Sequence, residues 1–265
     1  MQKIILVTGA TDGIGLETAK MLVAQDHHVI IHGRNPAKVA NVEQTLLEMA
    51  SGKVASIVAD LSSLQAVREM IEEVSQRFGK LDVLINNAGV FSIPKATTVD
   101  GLDARFMVNT IAPYLLTKEL LPLLSKDGRV VNLSSAAQAR VDLDALVSQP
   151  VLSDGEAYAQ SKLALTMWSR RLGLQLKNLG PVMVSVNPKS FLGSKMVKEA
   201  YGVAGNDLSL GADILYRASV SSEFANAHGA YYDNDIEAFA NPHSDALDDA
   251  KCQQVIEAIE AWLNR

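Results

Sequence analysis

Apolar and polar positions alternate in blocks along this chain. Short runs rich in β-branched residues are separated by longer stretches of helical spacing. Ile4–Thr8 reads as a strand, and Ile14–Gln25 follows with helical periodicity, Leu16, Ala19, Met21, Leu22 and Val23 making it largely apolar. His28–His32 is the next strand, and Pro36 suits the first turn of a helix that runs to about Ala50. The pattern continues with a strand over Val54–Ala59, a helix over Leu64–Phe78 and a strand over Leu81–Ile85. A long helix is expected over Asp103–Leu124, a strand over Arg129–Leu133, a helix over Tyr158–Leu179 and a sixth strand over Val182–Val186.

The strands are almost continuously apolar, as strands covered on both faces by helices must be. Their strict alternation with helices predicts an α/β protein with a doubly wound parallel sheet. No proline-rich linker, charge block or repeat interrupts residues 1–265, which are therefore expected to form one domain. The pattern breaks at Lys189–Asp207, which holds three glycines and lies beyond the sixth strand. Ligands of open α/β sheets bind outside the carboxyl ends of the strands, so this region (about 189–208) is expected to be a lid carrying substrate contacts.

Composition narrows the reading. The chain has 265 residues, 48% of them hydrophobic, enough for a large core. A net charge of -6 argues against nucleic acid as a partner. The single cysteine, Cys252, permits no internal disulfide and fits a reducing compartment. No apolar run approaches the roughly 18 residues that span a bilayer. The apolar start Met1-Gln-Lys-Ile-Ile-Leu-Val is too short for a signal peptide, so a cytoplasmic placement is expected. His27, His28, His32, His228 and His243 have no ligand spacing, so no metal is expected.

Two segments carry chemistry. The first is Thr8-Gly-Ala-Thr-Asp-Gly-Ile-Gly15, between the first strand and the first helix. Gly9, Gly13 and Gly15 let a pyrophosphate approach the backbone, where N–H groups and the helix dipole stabilise it. Thr11, Asp12 and Ile14 lie in the same turn. A plain strand-helix turn is the bland reading, but it has no use for three glycines. The second is Tyr158-Ala-Gln-Ser-Lys162. Residues four apart share one helix face, and a lysine ammonium there favours the phenolate of a tyrosine whose ordinary pKa is near 10. Taken alone, the pair is equally a half-buried tyrosine beside a surface lysine.

With Asp60-Leu61, Asn86-Asn-Ala-Gly89, Asn109 and Ser134-Ser135, these segments form six ordered motifs that resemble the short-chain dehydrogenases/reductases. The motifs span residues 8 to 188. The resemblance implies a Rossmann fold and an oxidoreductase that moves a hydride between a nicotinamide cofactor and an alcohol or carbonyl. Tyr158 would be the acid/base, Lys162 its partner and a ligand of the nicotinamide ribose, and Ser135 the group polarising the substrate oxygen. Asn109 would hold a water linking the lysine to solvent. Asp60 and Leu61 would line the adenine pocket, and Asn87, Ala88 and Gly89 the wall behind the adenine ribose. Pro188 would hold the nicotinamide carboxamide. A homodimer or homotetramer is common in the family.

The second strand ends in Gly33-Arg34-Asn35, with no acid to take the ribose 2′-hydroxyl of NAD; Arg34 suits the 2′-phosphate of NADP. NADP(H) is therefore expected over NAD(H). Asp12 is a counter-sign unless it turns away or caps the helix. Two departures from the family stand out. Ala136–Ala157 is longer than in compact members, with Asp142-Leu-Asp-Ala-Leu and Ser153-Asp-Gly-Glu suggesting an inserted surface turn; this length, with Tyr158-x-Gln-Ser-Lys-Leu-Ala164, resembles the retinol-dehydrogenase-like branch. After the sixth strand, Asn187-Pro-Lys-Ser-Phe-Leu-Gly-Ser194 has Lys189 in place of the usual glycine. Lys189 could point at substrate or cofactor phosphate, and Lys189→Gly is expected to leave turnover within a few-fold. Phe91, Phe191, Met196 and Tyr201 could line an apolar pocket. The competing readings are an NAD(H)-preferring relative, a cofactor-binding sensor or scaffold without turnover, and a serine hydrolase. The last lacks a Gly-x-Ser-x-Gly elbow.

Overall fold

In the computed structural model, residues 2–49, 53–148, 152–195, 197–198, 202 and 204–265 are described. The centre is an eight-stranded sheet with strand order β3-β2-β1-β4-β5-β6-β7-β8. The strands are β1 (Ile4–Val7), β2 (His28–Gly33), β3 (Val54–Val58), β4 (Leu81–Asn86), β5 (Leu124–Leu133), β6 (Val182–Asn187), β7 (Ala230–Asp233) and β8 (Ala238–Ala240). All neighbours pair in parallel except β7 and β8. The helices are α1 (Gly13–Ala24), α2 (Pro36–Met49), α3 (Leu64–Phe78), α4 (Ala104–Phe106), α5 (Ala112–Leu120), α6 (Leu143–Leu146), α7 (Asp154–Gln175), α8 (Leu208–Val220) and α9 (Asp249–Leu263).

The apolar strands serve two cores because successive side chains point to opposite faces. Ile5, Val7, Val29 and Ile31 pack with α1, α2 and α8. Leu6, Ile30 and Leu84 pack with α3, α5, α7 and α9. The chain runs outward from β1 to β3 and then returns to β4 on the other side of β1. The carboxyl ends of β1 and β4 thus flank the switch point where such sheets leave a crevice.

Three expected elements differ. The long helix over Asp103–Leu124 is broken by a π-helical turn, Met107–Ile111, between α4 and α5, and it ends in a 3-10 turn, Leu121–Leu123. Leu124 belongs to β5 instead. The expected surface turn at Ser153-Asp-Gly-Glu is the start of α7: the Ser153 side chain accepts from Glu156 N while the Glu156 side chain accepts from Ser153 N. This reciprocal cap is legible as Ser-x-x-Glu before a helical run. The preceding Asp142 segment is the short helix α6, capped by the Asp142 carboxylate. Finally, α8, the β7–β8 hairpin and α9 lie beyond the last expected strand. No helix among the described residues is long and apolar enough to cross a membrane.

Candidate active site

The glycine-rich turn leaves β1 and opens α1. Gly9 and Gly13 have φ of 65° and 55°, values that suit glycine. A side chain at Gly15 would meet Gly9 O at 2.3 Å, so the turn is closed on itself there. One at Gly13 would meet only Ser194 Cβ, at 3.9 Å, so the backbone at Gly13 is open to a ligand. The exposed Asp12 carboxylate accepts from Gly13 N at 2.8 Å and caps α1. Of the two roles open to Asp12, it takes the cap.

The Asn86–Gly89 segment braces this turn. Asn87 Nδ2 donates to Thr8 O (2.8 Å) and Gly9 O (3.1 Å), and the Asn87 and Ala88 amides donate to Thr8 Oγ1. Asn86 turns the other way, donating to Asn132 Oδ1 and Thr117 Oγ1 in the core. A Cβ at Gly89 would lie 3.5 Å from Lys162 Nζ and 3.4 Å from Asn109 Oδ1, so Gly89 gives both room.

His32, a histidine without metal-ligand spacing, ties three segments together. Its Nδ1 accepts from Gly9 N at 3.2 Å, and its Nε2 donates to Ala59 O at 3.0 Å. That pairing defines a neutral ring, and burial pushes its pKa down to about 4. The pin joins the glycine turn, the end of β2 just before Arg34, and the end of β3 just before Asp60. Arg34 and Asp60 are exposed beside it. Asp60 Oδ1 accepts from Ser62 N and Oγ; Asn35 Oδ1 accepts from Lys38 N in the first turn of α2. Leu61 is buried in the core.

Across the sheet, α7 carries Tyr158 and Lys162. Lys162 is 2% exposed, its Nζ donates to Leu133 O at 2.7 Å, and burial pushes its pKa down to about 8. The ammonium lies 5.7 Å from the centroid of the Tyr158 ring, and Phe91 packs on the same ring at 5.0 Å. Asn109 lies in the π-helical turn; such turns occur often at functional sites. It accepts from Val90 N and donates to Val90 O and to Ser161 Oγ, which in turn donates to Tyr158 O. Ser134 is buried against Thr166 Oγ1 at 2.6 Å, whereas Ser135 is partly exposed and its Oγ accepts from Ala137 N. Tyr231 of β7 and Gln138 both donate to Ser135 O.

The segment after β6 carries Lys189, where the family usually has glycine. Lys189 Nζ turns to Asn234 O at 3.3 Å, toward the β7–β8 turn. Lys189 and Phe191 have φ of 121° and 53°, conformations that cost a non-glycine residue on the order of 1–3 kcal/mol. Phe91 touches the tyrosine, but Phe191 is 54% exposed. Met196 and Tyr201 lie outside the described residues, as does part of the expected lid. Among the described residues no group of His, Cys, Asp or Glu side chains converges to hold a metal ion.

Comparison with known proteins gives this arrangement its class. The short chain dehydrogenase family model matches residues 3–201, and the chain belongs to that family. It is 39% identical over 179 residues to human polyprenol dehydrogenase, covering 64% of this chain and 54% of that protein. To mouse retinol dehydrogenase 13 it is 30% identical over 263 residues, covering 92% and 79%. The retinol-dehydrogenase-like resemblance thus stands. The chain spans 54% to 61% of the length of several such relatives. Among solved structures, an uncharacterised protein from Mycobacterium paratuberculosis superposes with a TM-score of 0.81 at 29% identity, covering 98% of this chain and 93% of that one. A short chain dehydrogenase from Burkholderia cenocepacia J2315 in complex with NADP has a TM-score of 0.70 at 26% identity, covering 88% and 95%.

Proposed function

We propose that this protein is an NADP(H)-dependent oxidoreductase interconverting an alcohol and a carbonyl, with Tyr158 as acid/base. The observation that carries the reading is the buried Lys162 ammonium beside the Tyr158 ring, one helical turn away, in a member of this family. A bound nicotinamide would supply the hydride. Tyr158 Oη gives its proton to the oxygen that gains charge as a carbonyl is reduced, and takes it back in the oxidising direction. Lys162 favours the phenolate that is left. Ser135 Oγ, which accepts from Ala137 N, keeps its own hydrogen to donate to the substrate oxygen.

The open backbone at Gly13, the first-turn N–H groups of α1 and the exposed Arg34 suit a dinucleotide carrying a 2′-phosphate. Asn87, Ala88, Gly89, Asp60 and Leu61 are assigned to the adenosine side, and Pro188 to the carboxamide. An NADP complex of a structural neighbour supports a nicotinamide cofactor. The names of the relatives point to apolar alcohols as the substrates to try first.

The test is a fluorescence titration with NADPH and NADH, then a carbonyl and alcohol panel followed by nicotinamide absorbance. NADPH should bind more tightly, and Tyr158→Phe should abolish turnover while cofactor binding persists. Tighter NADH binding refutes the role of Arg34, and an active Tyr158→Phe variant refutes the acid/base assignment.

A further inference from the structure

We propose that the turn Asp233-Asn234-Asp235, between β7 and β8, is a positioning element that holds the segment after β6 in its working shape. It is also what allows a lysine to stand at 189. The proposal rests on the functional reading above only in assigning that segment to the nicotinamide and substrate side.

The segment is conformationally costly. Lys189 and Phe191 both have positive φ, 121° and 53°, although neither is glycine. Such backbone persists only where its surroundings over-determine it. Asn206 holds the far end, its Nδ2 donating to Ser190 O (3.1 Å) and its N to Phe191 O (2.6 Å), while the bonds to Asn187, Pro188, Lys189 and the Ser190 N–H and hydroxyl come from one tripeptide. Asn187 Nδ2 donates to Asp233 Oδ1 (2.8 Å) and Asp235 Oδ2 (2.9 Å). Asn234 N donates to Asn187 O (3.1 Å), and the buried Asn234 Nδ2 donates to Pro188 O (2.9 Å) and to Leu210 O (3.3 Å). Lys189 Nζ donates to Asn234 O (3.3 Å). Ser190 gives both its N–H and its hydroxyl to the Asp235 carboxylate, at 2.8 and 2.6 Å. Every residue from Asn187 to Ser190 is thus held by the turn.

The turn is itself fixed. Asp233 pairs with Ala238 in the β7–β8 ladder, and Asp235 N donates to Asp233 Oδ1. Hydrogen bonds to a carboxylate are stronger than neutral ones, so the Asp235 grip outweighs an ordinary turn contact. A glycine at 189 would reach the same backbone shape without a Cβ penalty, and it would need less holding. The turn and Lys189 are therefore expected to be energetically coupled.

The test is amide hydrogen exchange of the peptide containing Ser190 to Ser194, in the cofactor-free full chain. The variants are Asp235→Ala, Asp235→Asn, Lys189→Gly and the double Lys189→Gly/Asp235→Ala. Asp235→Ala should speed exchange there about tenfold, since a bond to a charged acceptor is lost. Peptides from β1 and β4 should be unaffected. The cofactor KM should rise more than kcat falls. In the double variant the increase over Lys189→Gly alone should be clearly smaller than tenfold. If Asp235→Ala disturbs the β1 and β4 peptides, Asp235→Asn decides, with the same local pattern at reduced size. Unchanged exchange at Ser190, or strictly additive effects in the double variant, overturns the proposal. Because exchange needs no turnover, these outcomes stand whether or not Tyr158 proves to be the acid.

Discussion

At the residue scale, His32 links sequence, protonation and the geometry of the glycine turn most directly. Its ring must be neutral to accept from Gly9 N and donate to Ala59 O. The unfolded chain would protonate it near pH 6.5, whereas the folded chain resists until about pH 4. Between these values the unfolded state binds more protons. The stability tied to His32 is therefore fully present above pH 6.5 and is lost progressively as the pH falls toward 4, on the order of 3 kcal/mol in all. Urea midpoints measured from pH 7 to pH 5 should fall more steeply for the wild type than for His32→Gln, which cannot titrate. Parallel slopes would refute the pin. Nothing in the local sequence marks this histidine, because its partners are main-chain atoms 23 and 27 residues away. Tyr158, Lys162 and the glycines can be singled out in the sequence because the chemistry proposed for them depends on local spacing.

At the element scale, α7 must start at a fixed place for Tyr158 to reach the site one turn later. Two devices set that start. One is the Ser153–Glu156 cap, legible in sequence. The other is Arg105, 2% exposed, which pairs with the buried Asp103 in front of α4 and with Asp154 in the first turn of α7. Asp154 is 46% exposed, so the Asp103 half of the triad dominates. Arg105→Met would leave the Asp103 carboxylate buried and unpaired, at a cost of about 3–5 kcal/mol. The urea midpoint should drop accordingly, and by less for Asp103→Asn. The periodicity of Asp103–Leu124 predicts one smooth helix because a π-helical turn leaves no mark in apolar spacing. Asn109 lies in that turn, and its side chain serves Val90 and Ser161 rather than its own helix.

At the scale of the whole molecule, the chain up to Pro188 is the readable part. Its inner strands are largely buried on both faces, and the glycine turn, Asp60, Asn86–Gly89 and Ser134–Ser135 sit at strand ends, so there periodicity and chemistry report the same boundaries. Beyond Pro188 that agreement fails. β8 has only three residues, too short for a periodic signal, and the bonds from Asp233, Asn234 and Asp235 run back to Asn187, Lys189 and Ser190 across about 45 residues. Since the crevice proposed for the cofactor joins the ends of β1, β2, β3 and β4, a bound dinucleotide should stabilise the fold as a unit. At a hundred times its dissociation constant, NADPH should add about 2.7 kcal/mol. That corresponds to a rise of roughly 5–10 °C in Tm by thermal scan. No rise would argue against the crevice as the dinucleotide site.

The antiparallel pairing of β8 on β7 has a bearing on assembly. A parallel sheet that ended at β7 would present that strand's main chain to any neighbour. β8 takes up that ladder and offers only three residues in its place, Ala238 to Ala240. A short outer strand is a poor template for another chain. Any second copy meeting this side would have to be recognised through side chains such as Ile236 and Phe239, 63% and 46% exposed, rather than by extending the sheet.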